Sequence, residues 1–62
     1  MNKKKFSATL FFPAEKQIRP RKYRNITTLA NFSRFAANSG AAYINLYDQE
    51  TGLYLRRIKL LS

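Results

Sequence analysis

The sequence predicts an α+β fold: a single small domain in the order β-α-β-β, with one helix on one face of a three-stranded sheet that contains antiparallel pairing. Three observations lead to this prediction. Apolar residues alternate at period two in two separate segments, the segment between them has helical periodicity, and a turn containing glycine precedes a last strand. The 62 residues suffice for one domain spanning 1–62 and for no more.

The first strand is predicted at residues 6–12, where the sequence FSATLFF is rich in strand-forming residues. Because side chains alternate across a strand, two sets of residues face opposite ways. One set is Phe6, Ala8, Leu10 and Phe12, and the other is Lys5, Ser7, Thr9 and Phe11. Pro13 cannot donate to a sheet ladder, so the strand is expected to end there.

Residues 14–24, AEKQIRPRKYR, are predicted to form a basic loop, and residues 1–5 form a basic lead-in to the first strand. Pro20 excludes a continuous helix in this segment and biases Arg19 towards an extended backbone. Ile18 and Tyr23 are the expected anchors of the loop.

The one helix is predicted at residues 27–38. Thr27 is the expected N-cap, because its hydroxyl can accept a hydrogen bond from a free backbone N–H, and Asn25 is the competing cap. Leu29, Phe32 and Ala36 recur on one helical face and Phe35 lies beside it, and we assign the stripe of Leu29, Phe32 and Phe35 to the core. The sequence Asn-Ser-Gly at 38–40 is a stop signal, since glycine readily adopts the left-handed conformation after a last turn.

A hairpin is predicted from strands at 41–47 and 53–60, joined by a turn at 48–52. Alternation in the first of these strands places Ile44 and Leu46 on one side. Alternation fails in the second strand, which leaves two interpretations. A bulge near 56–57 would bring four residues to one face, namely Leu53, Leu55, Ile58 and Leu60. Without a bulge, one face would instead carry Tyr54, Arg56, Ile58 and Leu60.

Composition excludes several classes of function. The chain has no Cys and no His, so a disulfide or a conventional zinc site is not expected, and neither is a cofactor. Only three carboxylates are present, and two of them, Asp48 and Glu50, belong to the predicted turn, so enzymatic activity is not expected. No apolar run approaches the ~20 residues that a membrane span needs. A cytoplasmic location is expected, and a homodimer is one way for so small a chain to gain stability.

Charge is the main functional signal. Twelve Lys and Arg residues against three acidic ones give a formal net charge of +9, which favours a polyanionic partner. Five cations cluster in the predicted loop: Lys16, Arg19, Arg21, Lys22 and Arg24. Arginine suits bidentate contacts to phosphate. We therefore expect these residues to bind the phosphates of DNA or RNA.

A second signal is aromatic. If Ile44 and Leu46 face the helix, Tyr43 and Tyr47 must face away from it. Tyr54 is expected beside them with Arg56, from the last strand, and Arg57 of the same strand is a further candidate contact to nucleic acid. A sheet face with Tyr and Arg is a stacking surface for unpaired bases, so single-stranded nucleic acid is slightly favoured over a duplex.

The alternative hypothesis is a protein-interaction module or inhibitor that docks on an acidic patch of a larger protein. Tyr and Arg also dominate protein–protein hot spots, and basic charge steers association with acidic surfaces. The two hypotheses differ in one measurable property, which is affinity for oligonucleotides at moderate salt.

Overall fold

A computed structural model describes residues 4–60 and builds one helix and a four-stranded antiparallel sheet from them. The elements in chain order are β1 (Phe6–Phe11), a short 3-10 helix (Ala14–Lys16), β2 (Arg21–Ile26), α1 (Leu29–Asn38), β3 (Tyr43–Asp48) and β4 (Tyr54–Lys59). The strands lie in the order β2-β1-β3-β4. The α+β class is confirmed, whereas the predicted three-stranded sheet is wrong by one strand. Of the predicted lead-in 1–5, residues 1–3 lie outside the described part of the chain.

The additional strand, β2, occupies the second half of the predicted basic loop. It pairs antiparallel with β1, with Tyr23 opposite Ala8 and Ile26 opposite Phe6. Between these two pairs the register shifts, and Asn25 takes a left-handed backbone conformation with φ 59°. This is a β-bulge, and it lets Tyr23 and Ile26, three residues apart, point to the same side of the sheet. The prediction that 14–24 is a loop is therefore wrong from Arg21 onwards.

The core lies between the helix and one side of the sheet. Leu10 in β1 pairs with Ile44 in β3, and both side chains are fully buried. Ala36 of the helix is also fully buried, and Leu29 and Phe32 pack against the same cluster. The helical face predicted from the sequence is thereby confirmed, but the assignment of Phe35 to the core is wrong, because its side chain is 47% exposed at the edge of that face. Burial of these apolar side chains is the main stabilising contribution to the fold.

The helix was predicted at residues 27–38; it begins at Leu29, two residues later, and ends at Asn38 as predicted. Thr28 is the N-cap, so neither Thr27 nor Asn25 has that role. At the other end Gly40 has φ 86°, and its N–H bonds to the carbonyl of Ala37 while the N–H of Ala41 bonds to that of Ala36. These two bonds form a Schellman motif, which requires the left-handed conformation that glycine adopts without strain.

The hairpin of β3 and β4 is confirmed, and β4 contains a bulge. Ile58 pairs with Ile44 and Arg56 with Leu46, but the next pair is Tyr54 with Tyr47, which leaves Leu55 as the extra residue. The bulge thus lies one residue before the predicted position. Neither interpretation of β4 is right, because Arg56 and Ile58 share the helix side while Tyr54 points to the other side.

We predict that Asn25→Ala lowers the free energy of unfolding by about 1–2 kcal/mol, the cost of a left-handed backbone for a residue with a Cβ. The side-chain amide of Gln49 also donates to the Asn25 Oδ1 at 3.0 Å, and alanine removes this bond. Asn25→Gly is the control, because it loses the same bond without backbone strain. Urea denaturation measures both variants. Equal losses would mean that the left-handed conformation costs alanine nothing.

Candidate nucleic-acid interface

The side of the sheet opposite the helix is called the open face. Strand pairing places Ser7, Thr9 and Phe11 of β1 there, beside outward residues of the other three strands. Those residues are Lys22 and Arg24 of β2, Tyr43, Asn45 and Tyr47 of β3, and Tyr54, Arg57 and Lys59 of β4. The other side, which packs against the helix, is called the helix-side face.

The basic cluster predicted from the sequence is divided by the fold. Lys16 lies at the C-terminal end of the helix. Its Nζ is so close to Gly40 that a Cβ at position 40 would lie 2.6 Å from it. A cation at this end of a helix is favourable, because the carbonyl ends carry partial negative charge. Arg19 is exposed between the 3-10 helix and β2, and Arg21 pairs with Leu10 on the helix-side face. Lys16, Arg19 and Arg21 are therefore separate from the open face.

Lys22 and Arg24 are the two residues of that cluster that reach the open face. Lys22 pairs with Thr9 of β1, and both cationic residues are exposed. Together with Ser7 and Thr9 they line a concavity of about 370 Å³. Among residues 4–60, no ion pair or side-chain hydrogen bond engages Lys22 or Arg24. Both charges are therefore available to an external anion.

Tyr43 is the centre of a stacked group on the open face. The ring of Phe11 lies parallel to the ring of Tyr43, with 4.8 Å between centroids and 14° between planes. The guanidinium carbon of Arg57 lies 4.5 Å from the Tyr43 centroid, and Arg57 Nε donates to Asn45 Oδ1 at 3.3 Å. Because Phe11 and Arg57 come from the strands on either side of β3, they cover the Tyr43 ring from both sides. Both faces of the Tyr43 ring are therefore occupied, so Tyr43 positions Arg57 and has no ring face left for a base to stack on.

Tyr47 and Tyr54 form the second aromatic group. Their rings meet edge to face, with centroids 5.7 Å apart. Tyr54 is 55% exposed, and its neighbours Leu53 and Leu55 are also exposed. Tyr54 is consequently the most accessible aromatic ring that the open face presents among its described residues.

Adjacent arginines on β4 have opposite orientations. Arg57 pairs with Asn45 on the open face, as does Lys59 with Tyr43. Arg56 pairs with Leu46 and so belongs to the helix-side face. The sequence-based expectation that Arg56 joins the tyrosines is therefore wrong, and Arg57 lies beside them instead.

The carboxylates lie away from the open face. Glu15 is in the 3-10 helix, and Asp48 and Glu50 are in the turn after β3. Burial acts to raise the pKa of Asp48. Hydrogen bonds from the backbone amides of Glu50 and Thr51 outweigh this effect, together with the Lys4 Nζ at 3.4 Å from the Asp48 Oδ2, and they hold the pKa of Asp48 below its usual value. Asp48 is thus a turn-forming residue. The described residues contain no cluster of three acidic, His or Cys side chains suited to a metal ion.

Several open-face residues were not singled out as site residues from the sequence. Ser7 and Thr9 line the concavity, and Gln49 closes one end of it while its amide bonds to Asn25. Asn45 orients Arg57. In the sequence, these polar residues are marked only by their alternation with the apolar residues of β1 and β3. Every outward residue of a strand shows this alternation, so it does not identify a site.

Within residues 4–60, no helix is long and apolar enough to cross a bilayer. Compared with protein-family models, with curated proteins and with solved structures, the chain matches none of them.

Proposed function

We propose that the protein is a small, non-enzymatic nucleic-acid-binding protein that contacts single-stranded DNA or RNA with its open face. One observation carries the proposal: this face combines accessible aromatic rings with four cations, Lys22, Arg24, Arg57 and Lys59. No side-chain carboxylate of residues 4–60 lies on it. Proteins that bind single strands combine positive charge along the backbone with aromatic rings on which bases stack.

The arrangement of these groups favours a single strand over a duplex. The rings of Tyr47 and Tyr54 can stack only on bases that are unpaired and accessible. The helix, the element that most often enters a major groove, carries one long cationic side chain, Arg34, and packs its apolar face on the sheet. A sheet face with cations on both outer strands instead suits a flexible strand lying across it.

The proposal predicts tighter binding to a single strand than to a duplex. Fluorescence anisotropy would compare single-stranded DNA, single-stranded RNA and duplex DNA of about 16 nucleotides, which is the upper range of site sizes for small domains. Titrations between about 50 and 200 mM salt should give a steep loss of affinity, because phosphate contacts release counterions. Absence of binding to all three probes at the lowest salt concentration would overturn the proposal.

A second candidate is a protein-interaction module, which the exposed start of β4 favours. Leu53, Tyr54 and Leu55 are all exposed large apolar side chains, and β4 is an outer strand of the sheet. Outer strands have free backbone groups that can pair with another chain, including a second copy of this one. Failure of all three oligonucleotides, combined with a mass in solution of twice the monomer, would favour this candidate.

A further inference from the structure

The open face is chemically divided into two halves. The β2 side carries Lys22 and Arg24 next to the hydroxyls of Ser7 and Thr9. The β3 and β4 side carries Arg57 and Lys59 together with the aromatic rings of Tyr47 and Tyr54, and Tyr47 also lines the concavity. An arrangement with anion-binding groups on one side and rings on the other matches the two parts of a nucleotide.

The concavity has the donors that a phosphate group requires. Arginine offers a planar fork of N–H donors, lysine a compact charge, and each hydroxyl one further donor. The cavity volume of about 370 Å³ falls in the range of small-ligand sites, and it accommodates a phosphate together with its sugar. The carboxylate of Asp48 is directed into its own turn, since the Asp48 Oδ1 accepts the backbone N–H of Glu50 at 2.9 Å.

We propose that this concavity is the phosphate subsite of the open face. One phosphate group is bound by Lys22, Arg24, Ser7 and Thr9, and the attached base is directed across Tyr47 onto Tyr54. This inference rests on the proposed function, because it assigns the phosphate and the base of one bound nucleic-acid strand to different parts of the open face. It also predicts that Lys22 and Arg24 contribute to the salt dependence of binding.

Two double variants with equal charge change test the subsite. Lys22→Gln/Arg24→Gln removes the two cations of the concavity. Arg21→Gln/Arg56→Gln removes two exposed cations of the helix-side face, one on β2 and one on β4. For a thymidine oligonucleotide, the first variant should flatten the slope of log affinity against log salt by about 0.7, since the subsite binds one phosphate and each single-strand phosphate contact contributes about that much. The second variant should leave the slope at the wild-type value.

The outcomes separate this inference from the proposed function. If the wild type binds and both double variants change the salt slope equally, the subsite is overturned, because the effect would then depend on total charge and not on where the cations lie. The proposal of nucleic-acid binding itself would stand. Absence of wild-type binding would overturn both. A slope change confined to Lys22→Gln/Arg24→Gln supports the subsite.

The hydroxyls give a test that leaves net charge unchanged. Ser7→Ala/Thr9→Val should weaken binding roughly tenfold, as expected for a lost hydrogen bond to a charged group, with no change in salt slope. Thr27→Val, at an exposed position between β2 and the helix, is the control and should bind as wild type. Equal affinity for Ser7→Ala/Thr9→Val and wild type would contradict a role of the hydroxyls in the subsite.

A bound phosphate can come from the interior of a strand or from its end. Oligonucleotides with and without a 5′-phosphate distinguish these sources. Tighter binding of the phosphorylated probe, with competition by inorganic phosphate, would assign a terminal phosphate. Equal binding of the two probes, reduced equally by Lys22→Gln/Arg24→Gln, would assign an internal phosphodiester. Equal binding that this double variant leaves unchanged would contradict the subsite.

Discussion

Replacing Ile44 with alanine is expected to lower the free energy of unfolding by about 2–5 kcal/mol, because the smaller side chain leaves a cavity that the surroundings fill only in part. Ile44 is fully buried in a central strand, between Leu10 of β1 and Ile58 of β4. A 62-residue domain at about 0.05–0.15 kcal/mol per residue has roughly 3–9 kcal/mol in total. The variant should therefore lose a large part of its total stability, which urea denaturation followed by circular dichroism measures.

Two further substitutions define the position of the core. Ile44→Val should cost about 0.5–1.5 kcal/mol, since it removes a single methylene from the same site. Leu53→Ala should change stability by less than about 0.5 kcal/mol, because the side chain is 65% exposed. Similar losses for Ile44→Ala and Leu53→Ala would mean that the helix does not cover the face that contains Ile44.

The elements predicted correctly are those whose apolar period is unbroken. In β3, Ile44 and Leu46 alternate with Tyr43, Asn45 and Tyr47, and the burial follows that alternation. The helix shows the same agreement, and glycine at position 40 marks its end through a conformation that other residues rarely adopt. In these segments, the local apolar periodicity and the backbone preferences of single residues were sufficient to predict the element and its buried face.

The two outer strands could not be predicted in the same way, because each contains a bulge. Tyr23 and Ile26 are three residues apart, so the alternation of a strand was absent from the sequence of β2. In β4 the extra residue Leu55 shifts the phase between Tyr54 and Ile58. A bulge depends on pairing with the neighbouring strand, which is a long-range property. Outer strands are also often charged, which made β2 resemble a loop.

These bulges explain which candidate site residues were misplaced. The choice between Arg56 and Arg57 depends on where β4 changes phase, and the sequence left that position open. The division of the basic cluster into Arg21 and Lys22, on opposite faces, required the strand that the sequence did not predict. Tyr43 and Tyr47 were placed correctly because they follow from the unbroken alternation of β3.

Replacing Tyr54 with leucine is expected to weaken binding of a single-stranded oligonucleotide by about 1–3 kcal/mol, the range measured for the loss of one base–aromatic stack. This corresponds to a roughly 5- to 150-fold higher Kd. The substitution keeps an apolar side chain at an exposed position, so the fold should be unaffected. Tyr54→Phe retains the ring and should bind nearly as wild type, which anisotropy titrations at one fixed salt concentration would measure.

Phe35→Leu provides the matched control for Tyr54→Leu. Phe35 is 47% exposed, similar to Tyr54, but it lies on the helix, where its ring contacts Tyr23 at 5.7 Å between centroids. Loss of this ring should leave oligonucleotide affinity unchanged, because the helix covers the opposite side of the sheet. Equal weakening by Phe35→Leu and Tyr54→Leu would mean that binding does not depend on the open face. Unchanged affinity in both variants would mean that no base stacks on Tyr54, the most accessible ring of the open face, and that this face binds nucleic acid through electrostatic contacts alone.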